Sequence, residues 1–300
     1  MKKKTYLFAL MAMALTLGSC SDNENGIGGE TSKYITVSTS IGNMTRVATD
    51  ANGGQTFEEG DEISVYAWIG APTVAPETRE RVVNNAINKL TNGSWVSTPQ
   101  MLWKNNRDKH YFIGVYPTAA ISDFTAGEYK LDVAKQEDSD LLVAVNKDGL
   151  SYNVDEQQTV PLTFTHVMAK LAVNLTYKNQ WGGIPTVEKV VVGNAAKEAT
   201  INYLTKVVTP STTAKEDFSL PEITENTKYV SVIIPQEDVK QLTIVIGGKN
   251  FVYDNGTPFK LESGKITTVN LEVGRDEIKL GDVKITNWED GSTFSGEALN

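Results

Sequence analysis

The sequence has very few residues of the kinds that build active sites or disulfide frameworks. Among 300 residues there is one cysteine, Cys20, and there are two histidines, His110 and His166. A single thiol allows no intramolecular disulfide, so hydrophobic cores must hold the fold together. The histidines lie far apart in the sequence, and no Gly-x-Ser-x-Gly motif is present. We therefore predict that the chain is not an enzyme and has no catalytic residue.

Motifs for metals and cofactors are missing as well. Residues 247–249 and 264–265 contain Gly and Lys, but they lack the upstream glycine and the following Ser or Thr of a phosphate-binding loop. The acidic residues Glu137, Asp138 and Asp140 do not have the spacing of an EF-hand, and a solvated turn is the simpler interpretation. We predict no cofactor and no metal site.

The charge balance argues against nucleic acid as a partner. The chain has 28 Lys and Arg residues against 37 Asp and Glu residues, which gives a net charge of −9. A protein that binds the phosphate backbone needs a basic surface, and this composition does not supply one. The acidic balance keeps a secreted chain in solution and says little more.

The N-terminus has the parts of a lipoprotein signal peptide. Residues 2–4 are lysines, residues 6–17 are mostly apolar, and a Leu-Gly-Ser sequence precedes Cys20. The twelve residues of the apolar run are too few to span a bilayer. Because this arrangement resembles the bacterial lipobox, we expect residues 1–19 to be removed and Cys20 to be acylated, which anchors the chain in a membrane. The alternative is a secretory signal with a stray cysteine.

A tether, one strand and an open loop follow the signal peptide. Residues 20–32 are polar, acidic and Gly-rich, which predicts a flexible link between lipid and fold. Residues 33–41 alternate between apolar and polar side chains, as is typical of one short strand. Arg46 and Val47 come next, before another Gly-rich stretch, and a loop here would expose the bond between them to a protease.

Short strands separated by Gly, Pro and Asn make up most of the remaining chain. In residues 82–90 the apolar side chains have helical spacing, but Asn92-Gly93 lies between this run and the next one, so we predict a β-hairpin over residues 82–96. The pattern indicates β-sandwiches rather than alternating strands and helices. Further strands are predicted at residues 57–69, 110–116, 129–133, 141–145, 187–192, 199–204, 229–234, 241–246, 250–253, 266–273 and 283–288.

Residues 161–177, near the middle of the chain, have an alternating pattern that changes phase. From residue 167 onward the apolar side chains occupy odd positions, whereas Leu162 and Phe164 occupy even positions. A shift of one residue turns every side chain to the other face, so a single strand requires a bulge near His166. We predict one long core strand of this kind and a structural role for the histidine. Its buried face would carry Leu171, Val173 and Leu175.

The length of the chain fits two all-β domains with flanking segments. Residues 146–158 form the longest polar stretch in the middle of the chain, and we place the domain boundary within it. The predicted division is an N-terminal β-sandwich domain at residues 33–155 and a C-terminal β-sandwich domain at residues 156–300.

Five stretches of sequence resemble, in the same order, those of the fimbrillin-like proteins. They are the lipobox at Cys20, GDEISVYA at residues 60–67, FTHVMAKL at residues 164–171, IPQ at residues 234–236 and KITNWEDG at residues 284–291. The resemblance implies an all-β fold with two tandem transthyretin-like β-sandwich domains. It also implies a structural subunit of a type V pilus, as stalk, anchor or tip, that serves adhesion.

The same resemblance implies a route of assembly. Proteins of that family are exported as lipoproteins, cut after an arginine that follows the first strand, and polymerised by strand exchange. For this chain it implies palmitate or another lipid on Cys20, a cut between Arg46 and Val47, and replacement of residues 33–41 by a neighbour's strand. Residues 283–294 are our favoured donor. The expected partners are other fimbrillin subunits, the outer membrane and a host or bacterial surface receptor, and the expected location is the cell surface.

A surface lipoprotein that binds carbohydrate is the competing interpretation. Tryptophans could stack on sugars if two or three of them lined one exposed face, although large aromatic side chains more often fill cores. Coplanar exposed tryptophans would favour sugar binding, and a groove beneath residues 33–41 would favour the pilus subunit. The five tryptophans are Trp68, Trp95, Trp103, Trp181 and Trp288.

Overall fold

The computed structural model describes residues 33–42, 57–153, 158–254 and 256–288, with the exception of the side chain of Glu137. These residues form nineteen strands, one short α-helix and two short 3-10 helices. Within the same ranges, no helix is long and apolar enough to cross a membrane. The helices are α1 (Gln136–Ser139) and the 3-10 turns Thr78–Glu80 and Asn179–Trp181.

The nineteen strands are numbered in the order in which they occur along the chain. In chain order they are β1 (Thr36–Ile41), β2 (Glu62–Ile69), β3 (Arg81–Thr91), β4 (Ser94–Thr98), β5 (His110–Tyr116), β6 (Gly127–Lys130), β7 (Leu142–Leu150), β8 (Thr159–His166), β9 (Ala169–Tyr177), β10 (Lys189–Ala196), β11 (Glu198–Asn202), β12 (Val207–Pro210), β13 (Lys215–Ser219), β14 (Glu222–Thr224), β15 (Lys228–Ile233), β16 (Gln241–Ile246), β17 (Lys249–Asp254), β18 (Lys265–Val273) and β19 (Ile278–Asn287).

The first half of the fold is a seven-stranded sheet with the order β1-β8-β7-β5-β2-β3-β4. Neighbouring strands within this sheet are antiparallel to each other, except that β1 and β8 are parallel. The sheet curls so that its two edge strands approach each other. The approach is shown by a hydrogen bond that Trp95 of β4 donates to Thr39 of β1 (Nε1 to Oγ1, 3.0 Å). Inward-facing side chains of six of the seven strands share one core on this concave side.

The β3–β4 connection is a two-residue hairpin, as the Asn92-Gly93 pair predicts. Asn92 has φ of 52° and Gly93 has φ of 71°. Two residues with positive φ are what a type I′ turn requires, and Asn and Gly tolerate that backbone best. The hairpin prediction for residues 82–96 is confirmed, and their helical spacing of apolar residues is a coincidence of a bulged strand.

The second half of the fold is a sandwich of two sheets. A four-stranded sheet, β13-β10-β16-β17, and a five-stranded sheet, β14-β15-β9-β18-β19, contribute apolar side chains to one core. As predicted for the middle of the chain, Leu171, Val173 and Leu175 of β9 are buried there. The predicted all-β fold class is confirmed, and the separate sheets of the two halves fit the two tandem β-sandwich domains that were predicted.

A small sheet, β12-β11-β6, links the two halves. Strand β6 comes between β5 and β7 in the chain, yet it pairs with β11, which follows β10. The sequence pattern predicts no strands between residues 204 and 229, where the structure has β12, β13 and β14. These strands are short and largely exposed, so their side chains carry little of the apolar alternation that identifies a strand.

The prediction of one long strand across residues 161–177 is wrong. His166 ends β8 in the seven-stranded sheet, and Ala169 begins β9 in the five-stranded sheet. The main chain between them is held by the Val167 N–H, which donates to the Leu141 carbonyl (3.0 Å), and by the Met168 carbonyl, which accepts from Gly264 (2.8 Å). The change of phase therefore marks a crossover between sheets and not a bulge.

The crossover bears on the predicted division of the chain. Strand β8 (Thr159–His166) pairs with β1 and β7, so it belongs to the seven-stranded sheet although it follows residue 155. A boundary between residues 155 and 156 would separate this strand from its own sheet. The sheet pairing instead favours a boundary at residues 167–168, between β8 and β9, and we propose a two-domain division there in place of the predicted one.

Candidate functional site

Strand β1 fills a channel between β8 and the segment that follows β4. On one side it pairs in parallel with β8, from Thr36 opposite Thr159 to Ile41 opposite Phe164. On the other side the Ile35 N–H donates to the Met101 carbonyl (2.9 Å). The main-chain N–H of Trp103 donates to the Lys33 carbonyl (3.1 Å). We call this channel the β1 groove: β1 closes it on the β8 side, and Lys33 and Ile35, just before β1, close it with main-chain hydrogen bonds on the other side.

The floor of the β1 groove is apolar. Ile35 and Val37 are 3% and 6% exposed, whereas Thr36 between them is half-buried and Ser38 and Ser40 beyond them are exposed to solvent. The alternation predicted for residues 33–41 is therefore confirmed, and it points one face of β1 into the core. The buried floor beneath this face consists of Met101, Trp103, Val160, Leu162 and Phe164.

Aromatic side chains line the end of the groove near Ile41. The ring of Phe57 lies edge-on to the rings of Trp95, Tyr116 and Phe164, with centroid distances of 5.3, 5.4 and 5.1 Å. Such edge-to-face pairs add about 0.5–1.5 kcal/mol each beyond their burial. The cluster gives this end of the groove a rigid wall.

A glycine in β5, Gly114, allows close packing under the floor of the groove. Gly114 of β5 lies beneath Phe164, and a Cβ atom at Gly114 would approach the Cζ of that ring to 2.6 Å. Any larger residue at this position would therefore displace the Phe164 ring, which is part of the groove floor. Glycine allows this close approach of the ring to the backbone of β5.

The polar contacts of β1 are few and weak in comparison. Ser40 Oγ donates to Thr163 Oγ1 (3.2 Å), and Thr36 Oγ1 donates to the Gln158 carbonyl (3.3 Å). In the described ranges no ion pair involves β1. Main-chain pairing and two aliphatic side chains thus carry most of the interaction, a combination that another strand can reproduce.

The structure does not describe the residues predicted to be lipidated or cut. Cys20 precedes residue 33, and the Arg46–Val47 bond falls between residues 42 and 57, so both lie outside the described residues. The last described residue before the gap, Gly42, donates its N–H to the Phe164 carbonyl (2.7 Å). The first described residue after the gap, Phe57, packs against the same core.

The two histidines have structural partners. His110 is buried on β5, its Nδ1–H donates to the Asp108 carbonyl (3.1 Å), and its Nε2 accepts the Lys104 N–H (3.1 Å). Burial lowers the pKa of this imidazole, because removing the ring from water disfavours the charged form. The other histidine, His166, pairs with Asp140 (Nδ1 to Oδ1, 2.8 Å).

One of the acidic residues at positions 137–140, which were considered as a metal site, is the partner of His166. Asp140 binds His166, and Asp138 is exposed. Within the described residues, no group of three or more His, Cys, Asp or Glu side chains could hold a metal ion.

The tryptophans do not form a sugar-binding platform. Trp68, Trp103 and Trp288 are buried, and Trp95 and Trp181 are partly buried. The indole N–H of Trp181 donates to the Val273 carbonyl (2.9 Å), which fixes that ring against the sandwich. No tryptophan is exposed, so the observation on which the carbohydrate interpretation depended is absent.

The C-terminal strand β19 is the other edge strand of interest. It pairs with β18 from Ile278 to Asn287, and it lies at the end of the five-stranded sheet. Val283 and Ile285 are 40% and 38% exposed. The next residue after the strand, Trp288, is by contrast only 3% exposed.

Sequence and structure comparisons agree on one family. The model of fimbrillin-like proteins matches residues 45–288. No curated protein matches the chain. A solved structure described as a candidate cell adhesion protein of Bacteroides ovatus has a TM-score of 0.62 at 18% identity, over 85% of this chain and 98% of its own.

Two further solved structures have the same fold. A candidate cell adhesion protein of Bacteroides uniformis has a TM-score of 0.60 at 18% identity, over 78% of this chain and 93% of its own. A fimbrial protein of Bacteroides vulgatus has a TM-score of 0.53 at 13% identity, over 86% of this chain and 100% of its own. Since the family model spans most of the sequence, the chain belongs to the fimbrillin-like family.

Proposed function

We propose that this chain is a structural subunit of a type V pilus whose first strand is removed to make room for a strand of the next subunit. The fimbrillin-like family consists of structural fimbrial subunits rather than enzymes, so the prediction of no enzyme is confirmed. Family membership also gives the chain a role at the cell surface together with other fimbrial subunits. Lipidation, the cut and the exchange of strands are our proposal.

The observation that carries the proposal is the β1 groove. Loss of β1 would leave main-chain donors and acceptors unpaired along β8 and at residues 101–103, above a floor of buried apolar side chains. An exposed edge of this kind is a template for another strand. Burying one Ile or Val side chain contributes about 1.5–3 kcal/mol, so a donor with two aliphatic residues at alternate positions would restore most of what β1 supplies.

The position of Arg46 suits this route. Strand β1 ends at Ile41, and Gly42 still contacts Phe164, whereas the core resumes at Phe57. A cut after Arg46 would therefore separate β1 from the rest of the chain without breaking any strand of the described fold. The donor contact runs from one subunit to the next and does not close on itself, so a filament results.

Lipidation at Cys20 completes the proposed route. Acylation would hold the precursor at the outer membrane through residues 20–32 until the cut after Arg46 releases the subunit. To test it, Cys20→Ala is expressed in the native host. The precursor should then keep residues 1–19 and lose its membrane anchor, and a processed, membrane-held Cys20→Ala protein would contradict lipidation.

The donor is proposed to be residues 283–294. In support, Val283 and Ile285 alternate on an edge strand whose side chains are mostly exposed, so their departure would uncover little core. Residues beyond Trp288 lie outside the described part. Trp288 itself is buried, and its release is therefore a condition for this donor.

A protease experiment tests the proposal. The purified precursor is treated with an arginine-specific protease, and we expect a product that starts at Val47, followed by ladders of high mass on gentle electrophoresis. A synthetic peptide of residues 33–42 added after the cut should refill the groove and suppress the ladders. Clean cleavage at Arg46 with a product that stays monomeric at high concentration would contradict strand exchange.

Two matched controls make the result specific. Arg46→Lys should resist this protease at the one bond and stay monomeric, while its fold is unchanged. A peptide of residues 33–42 in which Ile35 and Val37 are replaced by Asp should not suppress the ladders, because it cannot enter the apolar floor. Suppression by this peptide would show that the ladders do not depend on the groove.

A further inference from the structure

At the crossover between the two halves, four side chains that are not adjacent in the sequence form one cluster around a pair of stacked rings, and we call this cluster the stack. The indole ring of Trp288 lies flat on the imidazole of His166, with centroids 4.1 Å apart and planes 7° from parallel. The ammonium of Lys170 lies 4.2 Å from the centroid of the Trp288 ring. Asp140 holds the imidazole from the side, through the 2.8 Å contact to Nδ1.

These residues meet where the chain changes sheets. His166 is the last residue of β8 and Lys170 the second residue of β9, so the stack spans the crossover at residues 167–168. The main-chain N–H of Trp288 donates to the Gly264 carbonyl (2.9 Å), and the main-chain N–H of Gly264 donates to the Met168 carbonyl (2.8 Å). The end of β19 is thus tied to the crossover by its side chain and by its backbone.

Gly264 is necessary for this arrangement. Its φ is +68°, a conformation that residues with a side chain rarely adopt, and a Cβ atom there would lie 3.1 Å from the His166 carbonyl oxygen. Glycine therefore lets the turn before β18 approach the crossover closely enough for Trp288 to reach it.

Apart from its ladder with β18, few side-chain contacts secure the end of β19. From Gly281 to Asn287 every residue of the strand is exposed, and its outer edge pairs with no other strand of the described residues. Exposed strand ends with few buried contacts open at low free energy. Trp288 is the first buried residue after this exposed run, so the side-chain anchoring of the strand end is concentrated in one ring.

The stack also contains two buried polar atoms that an apolar core would not have. His166 Nε2 and Trp288 Nε1 are buried, and neither has a hydrogen-bond partner within the described part of the chain. A buried polar atom without a partner costs about 1–3 kcal/mol, and such an exception calls for an explanation. An arrangement that holds the strand end but can still be opened provides that explanation.

We propose that Asp140, His166, Lys170 and Trp288 form a latch, and that the end of β19 separates from β18 when Trp288 leaves the stack. Its consequence for the pilus rests on the proposed function, because a donor that includes residues 283–288 must first open the latch. The latch itself is a property of the single subunit and can be measured without assembly.

Hydrogen exchange on the full chain tests the latch. In Trp288→Ala, amide protection at residues 282–287 should fall about 10- to 100-fold, while β5 and β8 keep the protection of the unmodified chain. Trp288→Phe retains a stacking ring and should keep most of the protection. Val283→Ala, on the exposed face of the same strand, is the matched control and should leave exchange unchanged.

The outcomes separate a latch from ordinary packing. Unchanged protection at residues 282–287 in Trp288→Ala, or an equal loss throughout the chain, would overturn the proposal. If Trp288→Ala does not fold, Lys170→Met decides, since it keeps the apolar stem and removes the cation. A loss of about 2- to 5-fold confined to residues 282–287 supports the latch, and no loss overturns it. Assembly after the Arg46 cut is scored separately, so either idea can fail alone.

Discussion

The two edge strands β1 and β19 are held in opposite ways. β1 has six residues in its ladder, but together with the residues just before it, it buries Ile35 and Val37 and contacts main chain on both sides. β19 has a longer ladder with β18, yet its side chains are largely exposed and its last contact is Trp288. The comparison indicates that loss of β1 would open an apolar groove, whereas loss of β19 would uncover mainly the backbone of β18.

The largest expected effect comes from removing the floor under β1. Phe164→Ala should lower the free energy of unfolding by about 3–5 kcal/mol, because Phe164 is fully buried and leaves a cavity. On β19, Ile285→Ala should change it by no more than about 0.5 kcal/mol, since that side chain is exposed. Urea denaturation of the full chain measures both, and equal effects would remove the contrast between the strands.

A matched pair of valines compares the strands themselves. Val37→Ala on β1 should destabilise by about 1–3 kcal/mol, because Val37 is buried in the groove. Val283→Ala on β19 should have an effect within about 0.5 kcal/mol, as for most surface positions. Thermal unfolding monitored by circular dichroism gives both values. A larger loss for Val283→Ala would reverse our assignment of which strand is packed.

A smaller effect is expected from the hydrogen bond across the curled sheet. Thr39→Val removes the acceptor of the Trp95 indole N–H while it keeps the side-chain shape, and it should cost about 0.5–1.5 kcal/mol. Ser38→Ala, at an exposed neighbouring position, is the control. Hydrogen exchange should show the loss within β1. An unchanged rate there would mean that the bond does not help to close the groove.

The smallest effect that we expect is on the dependence of stability on pH. The folded protein lowers the pKa of His110, so the unfolded chain binds the proton more readily, and stability should fall as the pH drops below the ordinary histidine pKa of about 6.5. Protonation also removes the acceptor of the Lys104 N–H, next to Trp103 in the groove floor. His110→Gln should show a shallower loss of melting temperature between pH 7.5 and 5.

A steeper or equal slope in His110→Gln would assign the acid sensitivity to other groups. The comparison of strands gives a second check, because protonation of His110 should raise hydrogen exchange at β1 before it does so at β19. Simultaneous loosening of both strands would mean that the pH acts on the fold as a whole.

The local pattern of residues determined much of the fold and the candidate site. Alternation at residues 33–41 placed β1 and its buried face, and Asn92-Gly93 placed a hairpin with the required positive φ. Both features depend only on neighbouring residues, since side chains alternate along a strand and few residue types tolerate that turn. The sequence stretches shared with the fimbrillin-like proteins supplied the family.

Only the tertiary structure decided which strands are neighbours. A period of two tells which face is buried but not what covers it, so the phase change at His166 was open to two interpretations until β8 and β9 were found in different sheets. The parallel partner of Ser40 is Thr163, 123 residues later, and no local pattern specifies a pairing at that distance. For the same reason Trp288 could not be assigned to His166 and Lys170 from the sequence, because chain folding alone brings these three side chains together.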